Sequence, residues 1–398
     1  MKAEVNNFYM NSKKIIIPVI IVLFLITGII FGKIFFKSYF GHNNDVNISK
    51  NTDDKKDVNK SINDDRHTAI TKAIEKVSPA IVGINVEEVR EVEDPFFNDP
   101  FFRQFFGNVE PQKQVVRGLG SGFIISQDGY ILTNDHVAGK ATKISVTLTS
   151  GETVEAKLIG SDLVSDVALL KISRDNLPFV NFGNSDEVII GEWVIALGNP
   201  FGLFEINDKP TVTVGVVSAT NMKASAEGNR VYKDMIQTDA SINAGNSGGP
   251  LIDALGNVIG MNTIIYTGSQ FSQGSIGIGF AISINRVLKI MNELKTNGKI
   301  DRNFNPGFRI QGIDDRIAKY YNLKSKYGVI VTQVQKGGSA DNAGLKSEDI
   351  IIEANNQKIR NEQDLVYAIN DCKTYDVINL KVIRNGDTKT FELKLEPK

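Results

Sequence analysis

The longest apolar run of the chain lies near its start. Residues 15–32 form an 18-residue stretch without a charged side chain. About 20 such residues carry a helix across the hydrocarbon core of a bilayer. The alternative is a cleaved secretory signal, but its apolar region is shorter and small residues follow it, whereas Lys33, Ile34 and Phe35 follow here. The pattern favours an uncleaved transmembrane anchor in residues 1–37.

The next segment, residues 38–67, is rich in Asn, Asp, Lys and Ser. Such a segment cannot bury enough apolar surface to offset the entropy lost on ordering, so we expect a flexible linker. Lys13 and Lys14 favour a cytoplasmic N-terminus. We therefore expect a single-pass protein of the cell membrane whose remaining domains are extracytoplasmic.

From residue 80 the pattern changes to short β-branched runs separated by Gly, Asn and Asp turns. The runs are AIVGINV from Ala80, GFIIS from Gly122, KISVTL from Lys143, VALLKI from Val167, EWVIAL from Glu192, VTVGVVSA from Val212, VIGMNTII from Val258 and IGIGFAIS from Ile276. No long helical pattern separates them, which indicates a mainly β domain with room for two antiparallel barrels of six strands each.

Helical spacing occurs on both sides of this β-rich region. Thr68–Lys76 predicts a helix that Ser78 and Pro79 end, and Asn285–Lys295 predicts an amphipathic helix that stops at Asn297 and Gly298. We assign residues 68–300 to one domain and residues 304–398 to a separate module.

One segment of the β-rich domain does not fit a strand pattern. Between Glu87 and Arg117 lies DPFFNDPFFRQFFG, with six phenylalanines beside Pro and Asp. It is either a loop that packs on its own barrel, or an oligomer contact or regulatory loop, since exposed aromatic side chains rarely remain without a partner.

Composition narrows the possible chemistry. Lys+Arg 45 and Asp+Glu 46 give a net charge of -1, which argues against a nucleic-acid binder. A single cysteine, Cys372, excludes an internal disulfide framework and a cysteine-rich zinc site. We expect no metal and no cofactor. His42 and His67 belong to the polar linker, where we expect them to be solvated, so a histidine-dependent mechanism has only His136.

The strongest chemical signal is DASINAGNSGGPL, residues 239–251. Alone, its glycine-rich centre is compatible with a simple tight turn. A serine in such a turn is also a candidate nucleophile that needs an adjacent base, and the amides of Gly245 and Ser247 are suited to holding an oxyanion. His136, in DGYILTNDHVAG, is the candidate base, and Asp166, in SDVALLKI, is the candidate acid that orients it.

Two alternatives compete with these assignments. Asp162 and Asp186 compete with Asp166, but both lie in polar turn segments where we expect solvated side chains. Residues 245–249 also fit G-x-S-x-G of the α/β-hydrolases, in which the histidine follows the serine. No histidine follows Ser247 in this chain, so the esterase interpretation is excluded.

Together these motifs resemble the HtrA (DegP/DegS-type) serine proteases from Thr68 onward. The matching segments are GSGFII from Gly120, DGYILTNDHV from Asp128, SDVALLKI from Ser165, GNPFGL from Gly198, TDASINAGNSGGPLID from Thr238 and GIGFAIS from Gly277. The resemblance implies a membrane anchor, a chymotrypsin-like double β-barrel, one PDZ domain and assembly as a homotrimer.

The resemblance also implies roles for individual residues. His136, Asp166 and Ser247 correspond to the catalytic triad, and Gly245, Asn246 and Ser247 frame the oxyanion hole. Ala244 departs from the family, which usually has proline there. The implied activity is that of an ATP-independent endopeptidase, and the chain accordingly has no G-x-x-x-x-G-K-[ST] phosphate loop.

By the same resemblance, Ile278, Gly279 and Phe280 border the substrate pocket, where apolar walls suit small or medium aliphatic residues. A PDZ domain adds a peptide as an extra strand and holds its terminal carboxylate on backbone amides. The groove residues carried over are Tyr327, Gly328, Val329, Ile330, Leu365 and Ile369. Because Glu348-Asp349 and Asn355-Asn356 replace the family's Gly-Asp and Asn-Gly, we expect altered turns there.

The sequence therefore predicts a membrane-anchored serine endopeptidase acting on unfolded or misfolded extracytoplasmic proteins, with C-terminal peptides bound at the PDZ domain. The alternative is a peptide-binding chaperone or quality-control protein with little proteolytic activity. A membrane scaffold that uses the PDZ module alone is a third possibility, as is a PDZ domain that serves assembly or autoinhibition only.

Overall fold

The structure, a computed structural model, describes residues 66–92, 112–199, 204, 208–224, 230–243, 245–263 and 277–398. The predicted anchor, the linker up to residue 65, the phenylalanine-rich insertion and Ala244 lie outside the described residues. Among the helices of the described ranges, none has the length and apolar character needed to cross a membrane.

The first barrel begins after helix α1 (Ala69–Val77) and a 3-10 turn (Ser78–Ala80), as Ser78 and Pro79 predicted. It is closed, in the order β1-β2-β3-β6-β5-β4. Its strands are β1 (Ile81–Val92), β2 (Gln112–Ile124), β3 (Tyr130–Thr133), β4 (Lys143–Thr147), β5 (Thr153–Asp162) and β6 (Val167–Ile172), with the short helix α2 (Asp135–Ala138) after β3. Apolar side chains from the strands fill the centre, with Phe123, Ile131 and Leu169 fully buried.

The second barrel follows the same principle. Its strands are β7 (Asn181–Phe182), β8 (Trp193–Gly198), β9 (Thr211–Ala224), β10 (Tyr232–Thr238), β11 (Pro250–Asp253), β12 (Asn257–Thr263) and β13 (Gly279–Ser283). Because β11 pairs with both β8 and β12, six of these strands form a ring, and β7 adds to β12 in parallel. The prediction of two six-stranded antiparallel barrels is confirmed.

Helix α3 (Ile284–Asn297) packs against both barrels and ends where the sequence predicted. Val287 and Leu294 on its inner face are buried in the cluster that contains the core of the first barrel. Gly298 closes the helix in the left-handed conformation, with φ 71°, and its N–H donates to the carbonyl of Leu294.

The C-terminal module is a sheet in the order β14-β15-β16-β18-β19, with β17 paired to β16. Its elements are β14 (Phe308–Gly312), α4 (Asp315–Tyr320), β15 (Val329–Val334), α5 (Ser339–Asn342), β16 (Ile350–Ala354), β17 (Gln357–Lys358), α6 (Glu362–Asn370), β18 (Val377–Arg384) and β19 (Asp387–Lys394). The module has its own hydrophobic core, in which Leu365 of α6 packs with Val329 and Val331 of β15.

Two turns of this module contain the substitutions noted in the sequence. Glu348, Asn355 and Asn356 have φ of 72°, 48° and 63°. These residues therefore adopt the left-handed conformation that glycine reaches without steric cost, which is uncommon for a residue such as glutamate.

Candidate active site

The candidate base and acid are in direct contact in the first barrel. His136 lies in α2, immediately after β3, and Asp166 closes the turn before β6. His136 Nδ1 is 2.8 Å from Asp166 Oδ2, and the backbone N–H of His136 donates to Oδ1 at 3.0 Å. Because an ionised carboxylate only accepts, Nδ1 carries the proton and the other ring nitrogen, Nε2, is left to accept one.

Asp166 is completely buried and surrounded by donors from the second barrel. The Tyr232 hydroxyl of β10 donates to Oδ2 at 2.8 Å, and the Thr263 hydroxyl at the end of β12 donates to the same oxygen at 3.0 Å. Arg230 Nε lies 3.4 Å from Oδ1, and Arg230 Nη2 lies 3.2 Å from the carboxylate of Asp135. These contacts hold the Asp166 carboxylate in one orientation.

The electrostatics of this cluster follow from these contacts. Burial alone would raise the pKa of the Asp166 carboxyl, but the facing His136, its hydrogen bonds and the nearby Arg230 outweigh burial and hold the pKa below its usual value. Burial and the Asp166 carboxylate raise the pKa of the Tyr232 phenol. Tyr232 is therefore a protonated donor at all physiological pH values.

The candidate nucleophile enters from the second barrel on the turn before β11. Ser121 of β2 fixes this turn: its N–H donates to the Ser247 carbonyl at 2.9 Å, and its hydroxyl donates to the Gly245 carbonyl. Gly248, with φ 84°, allows the close approach, because a Cβ there would lie 2.2 Å from the Ser121 carbonyl oxygen.

The turn leaves two backbone donors unused. The Asn246 N–H donates to the carbonyl of Asn243 at 3.0 Å. The N–H groups of Gly245 and Ser247 have no such partner within the described residues. Two free amides flanking one nucleophile are the arrangement that an oxyanion hole requires.

The side chains of His136 and Ser247 converge on one cavity. His136, Ser247 and Gly245 line a cleft of about 410 Å³, together with Arg230 and Asp135. Ser247 is buried, and its Oγ has no hydrogen-bond partner within the described part of the chain. Nucleophile–base hydrogen bonds are often long in the absence of substrate, so this geometry is compatible with catalysis.

The predicted substrate-pocket residues lie apart from this cleft. Gly279 and Phe280 belong to β13, where they pair with Thr238 and Gln237 of β10, and Ile278 precedes the strand with 46% of its surface exposed. Phe280 packs against the main core cluster, and none of the three lines the described cleft. Their role in specificity stays a prediction.

The predicted peptide loop of the C-terminal module also differs from expectation. Strand β15, which follows Tyr327 and Gly328, is paired with β14 on one side and with β16 on the other, so it has no free edge for another strand. The sheet ends at β14 on this side and at β19 on the other, and Glu362 at the start of α6 accepts a hydrogen bond from the Gly312 N–H of β14 at 2.5 Å. Leu365 and Ile369 are buried core residues.

Three further outcomes concern titratable residues. His67 is exposed, as expected, and pairs loosely with Glu75. Asp186 is exposed, but the expectation of a solvated Asp162 is wrong, since that residue is 5% exposed. Burial raises the pKa of the Cys372 thiol to about 11, so this cysteine is a poor nucleophile. In the described ranges, no cluster of three His, Cys, Asp or Glu residues could hold a metal.

Comparisons with known proteins agree with this architecture. A trypsin-like peptidase domain matches residues 120–261, and a PDZ domain matches residues 275–395. A probable periplasmic serine endoprotease, DegP-like, of Chlamydia trachomatis serovar D is 45% identical over 309 residues, which are 76% of this chain and 59% of the relative. The corresponding protein of Hahella chejuensis is 42% identical over 330 residues, 80% of this chain and 67% of the relative.

Solved structures give the same result. The HtrA-type protease AlgW with a decapeptide is 35% identical, with a TM-score of 0.63 and coverage of 83% of this chain and 98% of that chain. This chain spans three fifths to two thirds of the length of the two curated relatives, but nearly all of AlgW in that structure. On these matches, the chain belongs to the family of HtrA-type, DegP-like serine endoproteases.

Proposed function

We propose that this protein is an ATP-independent serine endopeptidase. The observation that carries the proposal is the contact of a buried Asp166 with His136 at the rim of a cleft that Ser247 also lines. Family membership supports the same activity.

In the proposed acylation step, Ser247 Oγ attacks the peptide carbonyl carbon while His136 Nε2 takes the hydroxyl proton. Asp166 keeps Nδ1 protonated and stabilises the imidazolium that forms. The carbonyl oxygen becomes an oxyanion on the N–H groups of Gly245 and Ser247, and each such donor contributes about 3 kcal/mol in comparable enzymes.

The tetrahedral intermediate then collapses. The C–N bond breaks, His136 gives its proton to the leaving amine, and an acyl ester on Ser247 remains. Water attacks this ester with His136 again as the base, and breakage of the ester bond returns the proton to Ser247 Oγ and releases the acid. Ser247 Oγ has no hydrogen-bond partner among the described residues, so no existing contact has to break before it meets His136.

The cellular setting of the proposal comes from the sequence and the relatives. The apolar run of residues 15–32 supports a single-pass anchor with an extracytoplasmic protease domain, and curated relatives are named periplasmic proteases. We accordingly propose unfolded or misfolded extracytoplasmic proteins as substrates, and a homotrimer as the assembly.

For the PDZ domain we propose binding of C-terminal peptides along β14. The free edge of β14 (Phe308–Gly312) supports this site, since an added strand needs unpaired backbone groups. Helix α6 lies beside this edge, where the Glu362 carboxylate already accepts from Gly312. Incoming peptide carbonyls would compete with Glu362 for that donor.

The experiment for the proposed activity is Ser247→Ala in the full chain. We expect complete loss of casein cleavage and of fluorophosphonate labelling, because the alanine has no oxygen to acylate. The matched control is Ser150→Ala, which removes an exposed hydroxyl from the turn between β4 and β5. That variant should cleave and label like the parent.

Two results would contradict the proposal. Casein cleavage by Ser247→Ala would refute the assigned nucleophile. A folded parent chain that neither cleaves casein nor reacts with the probe would favour the chaperone alternative.

A further inference from the structure

Asp166 occupies an unusual backbone conformation. Its φ is 58°, in the left-handed region that a non-glycine residue adopts at a cost of about 1–3 kcal/mol unless its surroundings enforce it. The residue ends the turn that joins β5 to β6, and the direction of its carboxylate depends on this turn. Whatever fixes the turn therefore fixes the orientation of the candidate acid.

A second carboxylate, that of Asp162, holds this turn together by hydrogen bonds. Asp162, the last residue of β5, accepts two hydrogen bonds on Oδ2 from Ser165, one from its N–H at 3.0 Å and one from its hydroxyl at 2.6 Å. Ser165 directly precedes Asp166. Since Asp162 is 5% exposed, its charge requires compensation by the protein.

The compensating charge comes from the connection to the PDZ domain. Arg302 lies between α3 and β14, and its guanidinium binds Asp162 bidentately, with Nε 3.1 Å from Oδ1 and Nη2 3.0 Å from Oδ2. The Arg302 side chain is only 12% exposed. This planar two-bond contact fixes the orientation of a carboxylate more firmly than the single-point charge of a lysine would, although a lysine would still compensate the charge.

The same guanidinium also binds the end of α6. Arg302 Nη1 donates to the carbonyls of Asn370 at 3.0 Å and Cys372 at 2.9 Å. The last carbonyls of a helix lack intrahelical partners and attract cations. One side chain thus connects the C-terminal end of a PDZ helix to the turn of Asp166.

We infer that Arg302 is a positioning residue for the catalytic acid. Through Asp162 and Ser165 it holds the left-handed turn that directs the Asp166 carboxylate at His136. The inference rests on the proposed function, because it assigns Arg302 to the reaction of that same site. Loss of Arg302 leaves Asp162 buried without its cation, so the turn relaxes and the contact between Asp166 and His136 loosens.

A neighbouring ion pair provides a matched control. Arg286 of α3 binds Asp371, at the end of α6, with Nη2 2.6 Å from Oδ1, and its side chain is 10% exposed. It therefore joins the same helix end to the protease domain with the same chemistry and burial. It makes no contact with Asp162 or Ser165 among the described hydrogen bonds and ion pairs.

The test compares Arg302→Gln, Arg302→Lys and Arg286→Gln in the full chain, with kcat and KM for casein and the thermal midpoint measured for each. A small misplacement of a catalytic group costs up to about a hundredfold in rate. We expect Arg302→Gln to lower kcat by about ten- to a hundredfold with KM little changed, and Arg302→Lys to recover part of this loss. Arg286→Gln should lower the midpoint while kcat stays within about twofold.

A double variant tests the route through Asp162. If Arg302 acts on Asp166 by way of Asp162, then Asp162→Asn combined with Arg302→Gln is no slower than the slower single variant, because both changes interrupt one connection. Independent, multiplying losses would overturn this route.

Other results would overturn the inference itself. These are an unchanged kcat in Arg302→Gln, an equal loss of kcat in Arg286→Gln, or a loss in Arg302→Lys no smaller than in the glutamine variant. If Arg302→Gln fails to fold, the comparison of kcat between Arg302→Lys and the control Arg286→Gln still tests the inference. A failure of the proposed function is distinct, since Ser247→Ala would then cleave casein or the parent chain would not.

Discussion

Two carboxylates of this protein, the buried Asp166 and the partly buried Asp371, bind their surroundings in opposite ways. Asp166 is completely buried and, besides the His136 ring N–H, receives three neutral donors, from the His136 backbone, Tyr232 and Thr263. Asp371 is 20% exposed and lies between two permanent cations, Arg286 and Lys233. Both carboxyl groups have a lowered pKa, that of Asp371 to about 2, where its two cations outweigh the effect of burial.

The difference distinguishes the proposed catalytic role of the Asp166 charge from a structural role of the Asp371 charge. Neutral donors fix the Asp166 carboxylate without cancelling its charge, so most of its field remains available to an imidazolium. The nearest permanent cation, Arg230, is shared with Asp135. At Asp371 the two cations neutralise the carboxylate charge, and these ion pairs join the PDZ domain to the protease domain.

The largest expected effect that tests this comparison is on catalysis. Asp166→Asn should lower kcat/KM for casein by about 10⁴-fold, because an amide that donates toward His136 stabilises the wrong tautomer. Asp371→Asn is the matched control, since the same change at a partly buried carboxylate that does not line the cleft should leave kcat/KM within about threefold. Steady-state kinetics measure kcat/KM for both variants, and circular dichroism verifies that both are folded.

The comparison would break in either of two ways. Comparable losses of activity in both variants would mean that Asp371 supports catalysis as well. Near-normal activity of a folded Asp166→Asn would mean that another group orients His136.

The sequence could single out the three candidate residues because each stands out locally. The scarcity of histidine points to His136, the glycine-rich turn points to Ser247, and the position before an apolar strand points to Asp166. The strand pattern likewise predicted both barrels. These features depend on short segments, whose periodicity and turn residues are visible without knowledge of the fold.

The residues that support them could not be predicted in the same way. Tyr232 and Thr263 reach Asp166 only because β10 and β12 of the second barrel pass beside the turn of the first. Asp162 looked solvated because its neighbours are polar, and its partner Arg302 lies 140 positions away. The free edge of β14 depends on strand order, which hydrophobic alternation does not encode.

A smaller effect is expected at Tyr232. Tyr232→Phe removes one donor to Asp166 but retains the buried ring. A hydrogen bond to a charged group contributes about 1.5–3 kcal/mol, so kcat/KM should fall by roughly 10- to 100-fold if the bond serves orientation. Tyr375→Phe, at a residue with 59% of its surface exposed, is the control and should behave like the parent. Casein kinetics provide the measurement, and an unaltered rate in Tyr232→Phe would show that the remaining donors suffice.

The smallest effect concerns pH and stability at Asp371. Its folded pKa, about 2, lies below the unfolded value near 3.9, so its ion pairs contribute stability that is complete well above pH 4 and is lost as the pH falls through about 2. Asp371→Asn should therefore lower the free energy of unfolding by about 2 kcal/mol at pH 6 and by about 1 kcal/mol less than that at pH 3. Denaturant unfolding of parent and variant at both pH values measures this. The parent and the variant could instead differ in free energy of unfolding by the same amount at pH 6 and at pH 3. That result would contradict a stabilising role of the Asp371 charge, because only an ionised carboxylate can lose its ion pairs by protonation.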